Sequence, residues 1–363
     1  MTDAIVSKPE TPAPEGRKMG VLIEDFPPPG AGAPAPKILP QGPEEEAIEP
    51  DLPIIDTHHH LWPHYLLADF LRDARDGHNV VASVMVDSHA MYRTGGPEAM
   101  KPIGETEFAN GVAAMCASDA YGPYRMCAGI VGFADLTLGE KVRDVLEAHI
   151  RVAGSRFKGV RRWTVWDEDP LLRPPFGGRP GLLSDKDFLA GFSQLAPLGL
   201  IYETWLYSPQ LPELVKLARD FSGTKIVVDH LGGPLGAGSY AAKQHETFVK
   251  WQRDLRELAG CPNVNIKLGG LGMPHTGLPS VNAIPRAASA QIAQEWRPYF
   301  ETAIEAFGPA RCMFESNFPV EGSVGSYRTI WNAHKLAVKQ YTTEEKTGLF
   351  SGTAKRVYAL DLS

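Results

Sequence analysis

The stretch Leu52-Pro53-Ile54-Ile55-Asp56-Thr57-His58-His59-His60 decides how the rest of the chain is read. Its apolar, β-branched start predicts a buried strand. The period-2 alternation of a strand then sets Asp56, His58 and His60 on one face and His59 on the other. Two imidazoles two residues apart can converge on one ion or one substrate atom. Working outward, short apolar runs alternate with longer segments of helical period, the signature of repeated βα units around a parallel sheet. Strands are predicted near residues 54–58, 80–87, 127–133, 159–163, 200–206, 225–230, 264–268 and 312–316. Helices are predicted over 185–195, with Ser184 as N-cap, over 209–221 and over 291–307;. Eight such units over about 310 residues predict a (β/α)8 barrel, a TIM barrel, with insertions. An open doubly wound sheet is disfavoured because no G-x-G-x-x-G turn follows the first strand.

The remainder of the chain narrows what such a barrel can do. Residues 1–50 hold 11 of the 31 prolines and the acidic run Glu44-Glu45-Glu46, so they are expected to form a Pro-rich extended or disordered arm, with the barrel occupying residues 51–363;. Lysine plus arginine number 36 against 43 aspartates and glutamates, a formal net charge of -7, which argues against nucleic-acid or anionic-membrane partners and for a small-molecule substrate;. Cys116, Cys127, Cys261 and Cys312 form no CxxC pair, so neither a thiolate zinc site nor a disulfide framework is expected;. The N-terminal residues lack the pattern of a secretory signal and no run of about 18 apolar residues occurs, so a cytoplasmic protein, expected as a homo-oligomer, is the reading.

In a barrel the chemistry sits at the C-terminal strand ends. His58 and His60 end the first strand, His230 the sixth, Lys267 the seventh, and Glu315 and Asn317 share one face of the eighth. Three histidines with an open position form a zinc-compatible set. Arg161 or Arg162 at the end of strand 4 suits a carboxylate, only one of them facing inward, and Trp163 offers a flat wall;. His89 and Tyr92 after strand 2, and Trp205 and Tyr207 in strand 5, add groups at the same rim. The segment 92–124, with Gly95-Gly96-Pro97 and Gly104-Glu105-Thr106-Glu107, is expected to form a lid;.

The segments IIDTHHHLW, VVDHLGGP, NIKLGGLGM and RCMFESNFPVE, in this order and spacing, resemble the amidohydrolase-related family of TIM-barrel hydrolases. Within it they resemble the branch containing lactonases for 2-pyrone-4,6-dicarboxylate, sulfomuconolactone and sugar lactones. The resemblance covers about residues 52–361. It implies a hydrolase opening a lactone or ester ring of a small carboxylated, aromatic-derived compound. The alternatives are a non-oxidative decarboxylase or hydratase on the same site, or a catalytically silent ligand-binding barrel. The family's metal-binding His-x-His falls on His58 and His60, and its later histidine on His230. The strand-8 aspartate that serves many relatives as metal ligand and base falls on Asn317, whose amide is a weak ligand and cannot accept a proton near neutral pH;. One divalent cation, zinc or manganese, on His58, His60 and His230 is therefore weighed against metal-free operation, which is favoured. The carbonyl would be polarised by His58, His60 and Lys267 and the water activated by His230 or Glu315.

Overall fold

The computed structural model describes residues 42–174 and 177–362. Among them eight strands pair in parallel and in chain order: β1 (Ile54–His59), β2 (Val80–Val86), β3 (Arg125–Gly132), β4 (Phe157–Arg161), β5 (Ile201–Thr204), β6 (Ile226–Val228), β7 (Val264–Leu268) and β8 (Cys312–Phe314). A parallel bridge between His59 and Phe318 draws β1 and β8 together, and the sheet forms a (β/α)8 barrel. Each strand leads to one of the helices α1 (Leu67–Ala74), α2 (Ile103–Ala117), α3 (Val142–Ala153), α4 (Lys186–Phe192), α5 (Leu211–Asp220), α6 (Gln244–Ala259), α7 (Ser289–Phe307) and α8 (Tyr327–Ala337).

The alternation of each strand divides the core into two apolar bodies. Outward residues such as Ile54, Ile130, Val160 and Phe314 pack against the helices. Inward residues Ile55, Val84, Val131, Ile201, Val227 and Met313 fill the barrel and meet Val357, Tyr358 and Leu360, so the C-terminal turn plugs the end opposite the strand ends. Asp56 closes the seam: its carboxylate accepts from Ser316 N (2.9 Å), Ser316 Oγ (2.6 Å) and Tyr327 Oη (3.0 Å). Burial pushes this carboxyl up to about 6 against those donors;.

Several sequence expectations are corrected. Strands 5, 6 and 8 end earlier than predicted because the chain leaves the ladder where the polar residues begin. His230 and Asn317 adopt left-handed φ values of 53° and 50°;. The N-cap of α4 is Asp185, whose carboxylate accepts from Asp187 N (2.9 Å) and Phe188 N (3.0 Å), and not Ser184;. The expected lid at 92–124 is largely α2, whose Ala109, Val112 and Ala113 belong to the core between strands and helices. Of the arm, residues 1–41 lie outside the described residues. Residues 42–50 run in irregular chain along the barrel, where Lys335 Nζ donates to Ile48 O (2.9 Å) and Glu49 O (2.8 Å). The four cysteines are free and buried. No described helix is long and apolar enough to cross a membrane.

Candidate active site

The strand-end residues assemble in two storeys. The lower one is ionic and closed to solvent. Lys267 Nζ donates to Glu203 Oε2 (2.6 Å) and lies 3.2 Å from Asp229 Oδ1 and 3.1 Å from His58 Nδ1. Burial alone would lower this ammonium's affinity for its proton, but Asp229, Glu203 and Glu315 more than offset that and raise it;. Tyr358 Oη, from the C-terminal plug, donates to Glu203 Oε1. With Arg161, two cations face three carboxylates. Glu203, pushed up to about 7 by burial, is the one with the most neutral character, while Asp229 is held well below the carboxylate range by Lys267 and His58 despite burial.

His58 sits between the storeys. Its Nε2 lies 3.1 Å from Arg161 Nη1 and 3.2 Å from His60 Nε2, and its Nδ1 lies 3.1 Å from both Lys267 Nζ and Glu315 Oε2. Whichever nitrogen carries the lone pair, a cationic N–H is close by. Burial, then Lys267, pushes the imidazole down to about 4, so it is neutral near pH 7. His60 donates from Nδ1 to Val86 O (2.8 Å), which leaves Nε2 as its lone-pair nitrogen, and burial with His58 and Arg161 holds it neutral as well. His59, on the other face as its position in β1 predicts, contacts Ser83 Oγ (2.9 Å) and stacks on Phe70 (centroids 4.0 Å apart).

The upper storey is a cavity walled by Trp62, Trp163, Trp205, Tyr207 and Met273, with Arg161, His60, His230, His275, Ser88 and Asn317 as its polar groups. No Asp or Glu is among the described residues that line it. His230 reaches it backed by Glu315, whose Oε1 lies 2.7 Å from His230 Nδ1. Burial would raise the Glu315 carboxyl, but the imidazoles of His230 and His58 hold it low and ionised. A carboxylate on Nδ1 sets the tautomer: the proton is on Nδ1 and the Nε2 lone pair is left for chemistry. Asn317 donates its backbone N–H to His58 O (2.9 Å), and its buried Nδ2 has no hydrogen-bond partner among the described residues.

Of the sequence-predicted residues, the structure brings His60, His230, Asn317, Arg161, Trp163, Trp205 and Tyr207 to one cavity. Lys267 and Glu315 lie beneath it, fully buried, and reach it through His58 and His230. His89, Tyr92 and Arg162 line a neighbouring pocket with Phe133 and Asp135. Of the two arginines it is Arg161 that faces the barrel, 1% exposed; Arg162 turns its Nη1 to Trp163 O (2.8 Å). Sequence reasoning missed Trp62, Ser88, Met273 and His275 in the cavity wall and the roles of Asp229 and Glu203 below it. Asp229, adjacent to His230 in an otherwise apolar strand, carried a usable signal; a lone His275 beyond the glycines after β7 carried none.

Two groups bring ligand atoms within 4.8 Å of one another, His58 with His230 and Glu315, and His58 with Glu203 and Asp229, so the site has residues that could hold a metal ion. The expected triad of His58, His60 and His230 is not one of them. Arg161 Nη1 and Lys267 Nζ each lie 3.1 Å from a nitrogen of His58, and Asn317 supplies no charge.

A parallel eight-stranded barrel with its polar groups at the strand ends belongs to the class of TIM-barrel enzymes. This chain belongs to the amidohydrolase family, whose sequence profile matches residues 55–360, and it is a hydrolase of that family. It is 32% identical to an uncharacterised protein of Sinorhizobium fredii, over 85% of this chain and 99% of that one. An L-fucono-1,5-lactonase of Burkholderia multivorans is 27% identical, over 64% of this chain and 72% of its own length. The crystal structure of an amidohydrolase from Burkholderia multivorans with bound zinc superposes with a TM-score of 0.61 at 24% identity, over 85% of this chain and 99% of that chain, which supports the shared fold.

Proposed function

We propose that the protein hydrolyses a lactone or cyclic ester of a small carboxylated compound, and that its own side chains carry the reaction. The observation that carries this reading is the His230–Glu315 pair at 2.7 Å, opening onto an aromatic-walled cavity beside Arg161 and Asn317. His230 Nε2 takes a proton from water, whose oxygen attacks the ring carbonyl carbon. The developing oxyanion is met by the Arg161 guanidinium and the Asn317 amide, so the polarising role expected of Lys267 passes to Arg161. The ring C–O bond breaks and the proton returns from His230 to the departing ring oxygen, so that one water is added and a hydroxy acid is released. Arg161 is held by Asp87 O, which accepts from its Nη2, and by His58, whose Nε2 lies 3.1 Å from its Nη1. Lactonase-named relatives support the ring-opening chemistry, and a cavity lined by an arginine and no acid supports an acceptor-rich, anionic substrate.

A panel of carboxylated lactones, followed by proton release, tests this. Ring opening that persists within about twofold after chelation is the expected result, since no ion is asked to polarise the carbonyl. Loss of turnover on chelation with recovery on added zinc would overturn the side-chain mechanism. Release of carbon dioxide from a candidate acid would replace hydrolysis by decarboxylation.

A further inference from the structure

Glu105, the third residue of α2, is fully enclosed yet touches neither cavity nor solvent. Its Oε1 accepts from Ser88 N (3.0 Å), Ser88 Oγ (3.0 Å) and Ala90 N (3.3 Å). Burial and the nearby Asp87 charge raise Glu105 well above the carboxylate range;. Asp87 accepts from Tyr92 Oη (3.0 Å) and His89 N (3.3 Å). The segment so clasped aims the cavity's polar groups. Val86 O receives His60 Nδ1 (2.8 Å), Asp87 O receives Arg161 Nη2, and Ser88 itself lines the cavity. Gly104 permits the clasp: a Cβ there would stand 2.5 Å from Met91 O and 2.7 Å from Arg93 N, so only glycine lets the start of α2 press against this loop;.

We propose that Glu105 is a positioning residue: by accepting from the backbone of Ser88 and Ala90, it fixes the end of β2 whose carbonyls aim His60 and Arg161 at the substrate. The kinetic part rests on the hydrolytic reading above; the structural part does not. Two variants separate geometry from charge. E105Q keeps the acceptor for Ser88 and Ala90, while E105A removes it.

Hydrogen–deuterium exchange on the full-length protein is read over residues 86–91. E105A is expected to exchange there about 10-fold faster with the rest of α2 unchanged, and E105Q to match wild type. On any lactone the wild type opens, E105A is expected to lose about 100-fold in kcat with little change in KM, and E105Q to restore it. Unchanged protection in E105A, or E105Q as loose as E105A, overturns the proposal, as does protection lost evenly along α2, which would mark a general packing role. Should E105A not fold, E105D takes its place: one methylene short of the loop, it is expected to show the same local loosening, and wild-type protection in E105D would equally overturn it. An inactive wild type would count against the lactone reading alone, because the exchange measurement still decides the role of Glu105.

Discussion

In the cavity at the barrel mouth, indole and phenol walls surround a few polar groups that have hydrogen-bonding capacity to spare: among the described residues Asn317 Nδ2 lacks a partner and the His230 ring is engaged through Nδ1. One layer deeper, Lys267, Glu203, Asp229 and Glu315 are wholly enclosed and matched to one another, cation against carboxylate. Both layers draw on the same strand ends, yet one is poised for a ligand and the other is spent on itself. Buried charge is tolerated only when paired, so the lower layer is a foundation whose value lies in holding His58 and His230 at fixed angles. The unspent groups above it are the ones free to act.

That division can be broken by substitution. K267M removes the cation from between Glu203 and Asp229 and leaves their charges uncompensated, so urea denaturation should show a loss of about 3–5 kcal/mol. If K267M keeps full stability and loses only turnover, the lower layer is chemical and not structural. H230A should lower kcat/KM by about 10³-fold with a smaller loss of stability than K267M, because His58 still faces the Glu315 carboxylate;. R161K, which keeps the charge but not the planar fork, should lower kcat by about 10²-fold, read on the same lactone.

The smallest effect is a pH slope. Burial raises Glu203 from 4.5 to about 7 in the folded state, so the folded protein binds this proton more tightly than the unfolded chain does;. Its contribution to stability is fully present below pH 4.5 and is lost as pH rises through about 7. E203Q, which cannot lose a proton, should remove that component. The difference in urea midpoint between wild type and E203Q should therefore change between pH 5 and 7.5, and a constant difference would show that Glu203 stays ionised throughout.

Much of the site was legible because strand alternation and strand-end placement are local rules. They put His58 and His60 on one face, His59 on the other, and His230 and Asn317 at the mouth. The lid expectation failed because Gly-rich sequence around 95–104 reads as loop, whereas Gly104 is there to let α2 approach. Lys267 was read as polarising the carbonyl because it sits late in its strand, between apolar residues and just before Gly269-Gly270. Only its distance to Glu203 and Asp229 shows where its charge goes.

By itself, then, the sequence determined the barrel, the order of its strands and the list of residues at the strand ends, because periodicity and chain order are properties of neighbours. Which of those residues face the cavity and which face each other was decided by tertiary structure. The depth at which each strand leaves the ladder, and the left-handed turns at His230 and Asn317, depend on packing between segments far apart in the chain. Charge pairing in a closed interior, such as Arg161 and Lys267 on either side of His58, exists only once β4, β7 and β1 stand together;.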